Sequence, residues 1–423
     1  MSHGTHGFDV IAPRSPFYRG PFGRICSDLP PWAPSLEGHP DLESLLMTIA
    51  QGEMIERPTV KPTDIAQDAA LRADLDAQFN SAIPAGYTYF GQFVDHDITF
   101  DPASSLMRRN DPSGLLNHRT PRLDLDNVYG AGPDDAPYLY DQDKGRKGRL
   151  LIGNIPGTNL PDLPRNQQGR ALIGDMRNDE NAIVSQLQLA FLLAHNALVE
   201  EAEKQGADNP FEAARRTLRW LYQWIVWHDF LKRVTRPDVW ACALQLQPDC
   251  LNMPDGPKRW RLGLKDIYSW RNQPYMPVEF SAAAYRFGHS MVRNHYQTNS
   301  EFRGLDEFVP IFDSSSAGAG DLRGFGPMVP ENVVQWDWFL EMGNPLAAFP
   351  QRARKIDTRL ANSLAFLAEE EDGSPMNILA RRNLLRGIQM DLPAGTAVAR
   401  KFCVEPIATL PENRDFLWYY ILK

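Results

Sequence analysis

Tyr87-Thr-Tyr-Phe-Gly-Gln-Phe-Val-Asp-His-Asp97 is a largely apolar stretch that carries a glutamine, two acids and a histidine within six residues. Gln92, Asp95 and His96 stand at i, i+3 and i+4, so on a helix they share one face, and the aromatic residues between them lie largely elsewhere. Burying such polar groups without partners costs free energy. The stretch therefore predicts a helix whose polar face meets other polar groups or a ligand.

Composition is that of a soluble globular protein, with 43% hydrophobic and 23% charged residues among 423. The net charge of −9 argues against nucleic acid or an anionic membrane as a general partner. No membrane span is expected because no apolar run reaches the necessary length. The first residues lack the features of a secretory signal, which predicts a cytoplasmic location and leaves export by another route open. Oligomeric state is not predicted.

Four cysteines show no metal-binding or redox spacing, and Cys242 with Cys250 is the only close pair. A disulfide framework is therefore not expected. Residues 1–83 are rich in proline and glycine, which predicts an arm packed on the body with a short helix near 42–51 and a second helix opening near Thr63.

Helical periodicity dominates the rest of the chain, and sustained strand alternation is nearly absent. The predicted class is mainly α, a single large domain with long loops and very little β-sheet. The predicted helices cover the opening stretch and residues 183 to about 204, 211–233, 280–292, 332–341, 353–368 and 376–387. The helix at 211–233 is rich in tryptophan and is predicted to be buried core.

A second polar run is Arg119-Thr-Pro-Arg-Leu-Asp-Leu-Asp-Asn-Val-Tyr-Gly130. Its alternating oxygen donors at Thr120, Asp124 and Asp126 suit a hard cation such as calcium, which takes side-chain and carbonyl oxygens from an irregular loop. The same acids are also compatible with a purely structural role as turn and cap residues. The spacing alone leaves both interpretations open.

Five segments in chain order resemble the animal-type haem peroxidases of the peroxidase–cyclooxygenase superfamily, which includes myeloperoxidase and lactoperoxidase. The resemblance spans roughly residues 80–415, and the compact length suggests a microbial member. The segments are Gly91-Gln-Phe-Val-Asp-His-Asp97, Thr120-Pro-Arg-Leu-Asp-Leu-Asp-Asn-Val-Tyr-Gly130, Gly174-Asp-Met-Arg-Asn-Asp-Glu180 with His195-Asn196, Tyr285-Arg-Phe-Gly-His289 and Asn383-Leu-Leu-Arg-Gly387.

The resemblance implies haem b as cofactor and assigns the proximal side. His289 would bind the iron, and Asn383 would accept a hydrogen bond from the other ring N–H, which fixes the tautomer. Arg286 and Arg386 would flank this side, where cations pair with haem propionates.

The distal side follows from the same resemblance. His96 would move a proton between the two oxygens of the peroxide, and Arg177 would stabilise the charge that develops as their bond breaks. Gln92 would hold a distal water or a halide. His195 is expected to be structural.

Covalent attachment is also implied, because Asp95 and Glu180 match the acids that form esters with haem methyl groups in relatives. Both could instead be ordinary hydrogen-bonded carboxylates. Asn181 stands where myeloperoxidase has a sulfonium-forming methionine, so that third link and the strongest chloride oxidation are not expected.

Calcium is the second cofactor implied. Its ligands would be Asp97, Thr120, the Arg122 carbonyl, Asp124 and Asp126, and Asp126 replaces the Ser or Thr usual in the family. The cation would hold the end of the helix that carries His96.

The implied function is a haem peroxidase that reduces hydrogen peroxide and, through an oxidised iron–oxo haem, oxidises bromide, iodide, thiocyanate or phenols. A fatty-acid oxygenase of the same superfamily is the main alternative, and it requires a radical tyrosine near His289. Arg286 occupies the position expected of that tyrosine, and Tyr285 precedes it. A haem-binding protein without turnover and a haem-free calcium-binding scaffold are further alternatives.

The predicted peroxidase domain covers residues 84–423. The chain stops at Leu417-Trp-Tyr-Tyr-Ile-Leu-Lys423, within an apolar helical pattern, whereas family members continue with at least one more helix. The resemblance therefore implies a C-terminal truncation of the domain.

Overall fold

The computed structural model describes residues 22–100, 117–246, 260–262, 268, 275–312, 320–365, 367, 374–411 and 413–423. Cys250 lies outside these residues, and the three cysteines within them are free. The described part is mainly helical, and its strands pair only two by two. The predicted fold class, mainly α with very little sheet, is confirmed.

The helices that follow are numbered in chain order. They are α1 (Leu42–Met47), α2 (Pro62–Gln67), α3 (Ala69–Phe79), α4 (Gly86–Ile98), α5 (Asp126–Tyr129), α6 (Ala182–Lys204), α7 (Pro210–Ile225), α8 (Leu231–Val234), α9 (Pro237–Ala243), α10 (Val278–Ala282), α11 (Leu379–Gln389), α12 (Gly395–Lys401) and α13 (Leu417–Leu422). Two π-helical turns, Thr48–Glu53 and Val226–Phe230, extend α1 and α7.

Short strands connect distant parts of the chain. The pairs are β1 (Phe22–Gly23) with β7 (Met276–Pro277), β2 (Asn80–Pro84) with β10 (Arg352–Arg354), β3 (Gly153–Asn154) with β4 (Pro161–Asp162), β5 (Leu244–Leu246) with β6 (Trp260–Leu262), and β8 (His295–Tyr296) with β9 (Val309–Pro310). Only the first pair is parallel.

Helix α4 is the predicted opening helix, and it runs through the centre of the body. Its Phe93 ring stacks on Phe191 of α6 with centroids 4.5 Å apart, and its Phe90 ring meets Tyr222 of α7 and Phe230 edge-on. Offset and edge-on contacts are the favoured geometries for aromatic pairs. The aromatic residues of the opening stretch therefore hold α4 between two other helical segments, while its polar residues face elsewhere.

The N-terminal arm contains more helix than predicted. Helix α1 lies near its predicted position, and α2 begins at Pro62, where a second helix was predicted to open near Thr63; α3 is the additional helix. Asp68 caps α3 by accepting hydrogen bonds from the backbone of Ala70 and Leu71. The arm contacts the body through Glu279, whose carboxylate accepts hydrogen bonds from the backbone of Ile25 and Cys26.

Two predicted helices are absent at their predicted places among the described residues. Residues 332–341 form loop and short 3-10 turns, since the Asn299 side chain takes the carbonyls of Pro330, Glu331 and Val333. Residues 353–368 begin in β10, where the Arg354 guanidinium forms buried ion pairs with acids of the N-terminal arm. Tertiary partners override the local helical preference in both segments.

The prediction for 280–292 was correct in helicity and wrong in type. Helix α10 ends at Ala282, and a 3-10 helix covers Ala284–Met291 after a break at Ala283 with φ −133° and ψ −69°. The tighter 3-10 turn places His289 differently from an α-helical continuation.

The Trp-rich helix is not the buried core that its composition predicted. Only Phe211, Ala214, Leu218 and Tyr222 of α7 are buried, whereas Trp220 and Trp224 are 61% and 59% exposed. The prediction was wrong because it took the high aromatic content of this segment as evidence of burial.

Helix α6 is the one helix among the described residues that is long and apolar enough to cross a membrane, a property the sequence analysis overlooked. Its mean hydropathy is 1.5 over the most apolar window, of which 61% is buried inside the body. Packing against α4 and α7 accounts for this apolar character.

Candidate functional site

A cavity of about 710 Å³ lies beside α4 and is walled by residues from segments far apart in the chain. Its size is that of a site for a cofactor or other small molecule. Among the predicted site residues, those in the wall are Gln92, Asp95, His96, Arg177, Glu180, Arg286 and His289. The structure therefore brings the two histidines assigned by the resemblance to one cavity.

His96 is held by a chain of buried amides. Asn127 donates to the Phe93 carbonyl, the Gln188 amide donates to the Asn127 carbonyl, and Asn178 Nδ2 donates to Gln188 Oε1 at 2.7 Å. Asn178 Oδ1 is therefore the atom left to accept from His96 Nδ1, 2.7 Å away. The proton of the neutral imidazole is thus fixed on Nδ1, and Nε2 keeps its lone pair.

Burial and the nearby Arg177 guanidinium lower the pKa of His96 to about 3. The imidazole is consequently neutral at neutral pH. A neutral ring with a free Nε2 lone pair is a base that can accept a proton.

Arg177 lines the cavity but is anchored more firmly than the sequence indicated. Its Nε and Nη2 donate to Asp175, and Nη2 also donates to the carbonyls of His96 and Thr99 at the end of α4. Nη1 has no acceptor among the described residues. Arg177 therefore donates to carbonyls at the end of α4 and still keeps its Nη1 group free of hydrogen bonds to the described residues.

Gln92 belongs to a second polar cluster in the cavity wall. Its amide nitrogen donates to Glu180, and its oxygen accepts from Asn181 Nδ2 at 3.1 Å. Asn181 also caps α6 by accepting from the backbone of Val184. Asp95, the other acid in the wall, accepts from the Thr99 hydroxyl at 3.0 Å, and burial raises its pKa.

His289 contacts Asn383 as predicted, and the donor and acceptor of this hydrogen bond depend on the imidazole tautomer. Arg286 Nη1 donates to Asn383 Oδ1 at 3.2 Å, so the amide nitrogen faces His289 Nδ1 at 2.8 Å. The predicted direction, Nδ1–H to the amide oxygen, requires a half-turn of the amide. Burial, Arg286 and Arg386 lower the pKa of His289 to about 3, so this ring is neutral too.

Buried positive charge marks the same side of the cavity. Burial, with neighbouring Arg386, lowers the pKa of Arg286 to about 10. No carboxylate among the described residues lies within ion-pair distance of Arg286. Arg386 itself is not in the wall, whereas Arg382 and Arg323 are. A buried guanidinium without a paired acid, as at Arg286, suits an anionic group of a ligand.

Three carboxylates meet at the far end of α4. Oxygens of Asp97, Asp124 and Asp126 all lie within 4.8 Å of one another. Asp97 is fully buried, and neither of its oxygens has a hydrogen-bond partner. Burial and Asp124 raise the pKa of Asp97 to about 8, and burial raises that of Asp126 as well. Such a cluster of mutually repelling acids fits a cation, and we call it the acid trio.

The other predicted cation ligands lie around the acid trio. The Thr120 hydroxyl donates to Asp124 at 2.7 Å, and the Arg122 carbonyl accepts a long hydrogen bond from Gln223 at 3.4 Å. Arg119 lies 3.6 Å from Asp126 and also pairs with Asp175, the partner of Arg177. The acid trio is thereby linked to the cavity.

Sequence reasoning missed the amides that hold His96 and much of the cavity wall. Asn178 lies inside the quoted segment 174–180, so its position beside Arg177 was a usable signal. Gln188 is a polar residue in the buried face of α6, a second such signal. Several other wall residues gave no signal in the sequence; they include Ile311, Phe312, Arg323, Phe325, Leu364 and Leu367.

Residues 104–314, about half of the chain, match the family model described as animal haem peroxidase. The chain belongs to this family. Over 209 residues it is 30% identical to chorion peroxidase of Drosophila melanogaster, a match that covers 45% of this chain and 23% of that protein. Over 265 residues it is 32% identical to a peroxidase-like protein of Margaritifera margaritifera, covering 49% and 31%. The matches span less than a third of either relative.

Solved structures share the fold. Peroxidase A from Dictyostelium discoideum aligns with a TM-score of 0.58 and 14% identity, over 95% of this chain and 81% of that one. A fatty acid alpha-dioxygenase from Arabidopsis thaliana aligns with a TM-score of 0.54 and 16% identity, over 93% and 67%.

The cavity residues fit the haem that the family implies. Two neutral imidazoles reach one cavity, and the unpaired Arg286 suits a propionate. A Cβ added to Gly288 would meet no atom within 4 Å, so the wall next to His289 is open, as a flat ring requires. His289 would hold the iron, with Asn383 behind it.

Proposed function

We propose that the protein is a haem peroxidase that reduces hydrogen peroxide and oxidises small donors such as bromide, iodide, thiocyanate or phenols. The observation that carries the proposal is His96, a neutral base whose Nδ1–H is committed to Asn178, in the wall of the cavity that also holds His289. A bound haem supplies the two electrons that reduce the peroxide.

The residues of the chain divide the acid–base work. Nε2 of His96 would take the proton from one oxygen of the peroxide and return it to the other, which would leave as water. The unengaged Nη1 of Arg177 is available to donate to that oxygen as charge develops. Gln92, fixed by Glu180 and Asn181, orients a water or a halide.

A spectrum of the haem-loaded protein tests the proposal. We expect a Soret band that shifts when hydrogen peroxide is added and returns as guaiacol or iodide is oxidised. A Soret band that peroxide leaves unchanged, with no donor oxidised, would indicate a haem-binding protein without turnover. Failure to form any Soret band would indicate a haem-free scaffold.

Asn178→Ala should slow the reaction with peroxide by about 10- to 100-fold, the usual range for a residue that orients a functional histidine. The variant leaves His96 in place but frees Nδ1, so both tautomers become populated. The measurement is the stopped-flow rate at the Soret band across pH. Asn196→Ala, which removes an amide that bonds to Leu150 outside the cavity, is the matched control. Equal rates in the two variants would refute the role of Asn178.

Ester links to haem through Asp95 and Glu180 are part of the proposal, supported by the place of both acids in the cavity wall. After several turnovers with peroxide, acid–acetone extraction should leave most haem on the protein. The double variant Asp95→Asn and Glu180→Gln should release it. Free extraction of haem from the unaltered protein would reject the links.

Calcium at the acid trio is the second cofactor we propose. Its support is the three carboxylates within 4.8 Å and the unpartnered oxygens of Asp97. Oxygen donors of this kind suit calcium. Because Asp97 follows His96 directly, the cation would fix the end of α4.

A fatty-acid oxygenase is the second candidate, and one observation favours it. Tyr285 lies in the cavity wall, and its hydroxyl donates to the Gly91 carbonyl at 2.9 Å. Oxygen consumption with linoleate in the absence of peroxide, lost in Tyr285→Phe, would select this function. Consumption of peroxide with guaiacol, unchanged in that variant, selects the peroxidase.

A further inference from the structure

We propose that the outer face of α7 binds an anionic lipid surface. The face is defined by Arg216, Thr217, Trp220, Leu221 and Trp224, and we call it the α7 face. At 100° per residue these positions lie together, roughly opposite the buried positions of the same helix. The inference does not depend on the peroxidase proposal.

The first observation is the exposure of large apolar side chains. Trp220 is 61% exposed, Leu221 50% and Trp224 59%. Single exposed apolar residues are common, but three within five residues on one helix form a patch. Tryptophan is the residue that favours the boundary between lipid headgroups and acyl chains.

Aromatic rings continue the patch beyond α7. The Trp224 ring lies 5.1 Å from that of His228, and the His228 ring lies 6.2 Å from that of Trp240 in α9. Trp240 is fixed by a hydrogen bond from its Nε1 to the Trp227 carbonyl. The aromatic surface is therefore held in place by packing between α9 and the turn that follows α7.

The second observation is charge. Residues 210–243 contain six basic and three acidic residues, a local charge of +3 in a chain of −9. The Arg216 guanidinium lies 5.8 Å from the Trp220 ring, and Lys232 Nζ lies 5.4 Å from the Trp240 ring. No acid among the described residues forms an ion pair with Arg216, Arg219 or Lys232. The net negative charge of the whole chain argues against binding to anionic membranes, but the charge of this segment is positive.

The exposed tryptophans and the basic residues together favour an anionic lipid surface as the partner of the α7 face. An amphipathic surface with tryptophan at its centre and arginine and lysine around it is the pattern of helices that lie in an anionic membrane interface. A second copy fits less well, because a symmetric contact would place like charges against one another. The apolar helix α6 is mostly buried in the body, so it does not serve as a membrane span. The α7 face would instead bind in the plane of the membrane interface.

The test is flotation of the 423-residue chain with vesicles of phosphatidylcholine containing roughly 30% phosphatidylserine. We expect binding that falls with added salt and is absent with phosphatidylcholine alone. The double variant Trp220→Ala and Trp224→Ala should bind at least about tenfold more weakly, because two exposed rings no longer enter the interface. Arg216→Gln with Lys232→Gln should weaken binding and reduce its salt dependence.

The control is Phe302→Ala, which removes an exposed aromatic ring from a different segment and should bind like the unaltered chain. Circular dichroism at increasing temperature establishes that each variant is folded. Equal flotation of the tryptophan variant and the control would overturn the proposal. So would a dimer in lipid-free solution that the tryptophan variant converts to a monomer, since a second copy would then occupy the α7 face.

Discussion

His96→Ala should lower the rate constant for the reaction with hydrogen peroxide by about 10²- to 10⁴-fold, the range that a positioned acid–base contributes. The alanine removes the neutral imidazole whose free Nε2 faces the cavity, so the proton must reach the leaving oxygen through water. The measurement is stopped-flow absorbance at the Soret band with peroxide in excess. Haem binding should survive because His289 and Asn383 are untouched.

His195→Gln is the matched control for His96→Ala. It alters a histidine that is equally buried but bonded to Tyr129 and to the Gly148 carbonyl, away from the cavity wall. Its pKa is also lowered, by burial, to about 4. We expect a change in thermal stability with little change in the rate. A rate that falls equally in both variants would show that His96 acts only through the fold.

Without a bound cation, the protein should lose stability as pH rises from about 4 to about 8. Burial raises the pKa of Asp97 from 3.8 to about 8, so the folded chain holds a proton that the unfolded chain releases within this window. Unfolding then releases a proton, and its free energy falls with rising pH by up to about 1.4 kcal/mol per pH unit. Above pH 8 the folded carboxylate is ionised too, and the loss stops.

The groups that face Asp97 determine how calcium changes this behaviour. Asp124 and Asp126 repel its charge, Arg119 attracts it, and Tyr222 packs beside it. A calcium ion replaces the proton, so the loaded protein should show a nearly flat melting temperature over the same range. Asp97→Asn should reduce both the pH slope and the response to calcium, and the slope that remains comes from Asp124 and Asp126, whose pKa values are also raised by burial.

Melting temperatures measured with EDTA and with calcium, from pH 5 to 8, test this prediction. Asp64→Asn, at an exposed acid in α2, is the control and should leave the slope intact. An EDTA-treated protein whose melting temperature rises with pH would contradict the assigned pKa. A slope that calcium does not alter would remove the cation from the acid trio.

The sequence allowed the central helix and the acids at its end to be predicted, because both depend on local spacing. Gln92, Asp95 and His96 were placed on a helix by periodicity, and the structure puts all three in the cavity wall. Residues 332–341 could not be predicted in this way, since Asn299 from another segment donates to the Val333 carbonyl and to the two carbonyls that precede this range. Helical spacing specifies which residues share a face and leaves their tertiary partners undetermined.

Local sequence patterns could not predict the partners of the site residues either. The resemblance paired Asn383 with His289, but Arg286 competes for the same amide oxygen in the folded chain. Trp220 and Trp224 looked like core by composition, yet burial depends on which side of α7 meets α6. Only the packed chain decides which of two chemically reasonable partners each of these side chains meets.

Helix α13 supports the segment that carries His289 from a distant part of the sequence. Its Trp418 donates from Nε1 to the Arg286 carbonyl at 3.2 Å, and the ring lies 6.5 Å from that of His289. The contact joins residues 132 apart in the sequence, so the cavity wall beside His289 depends on long-range packing. Local unfolding of α13 would therefore loosen the segment that carries His289 while the rest of the body stays folded.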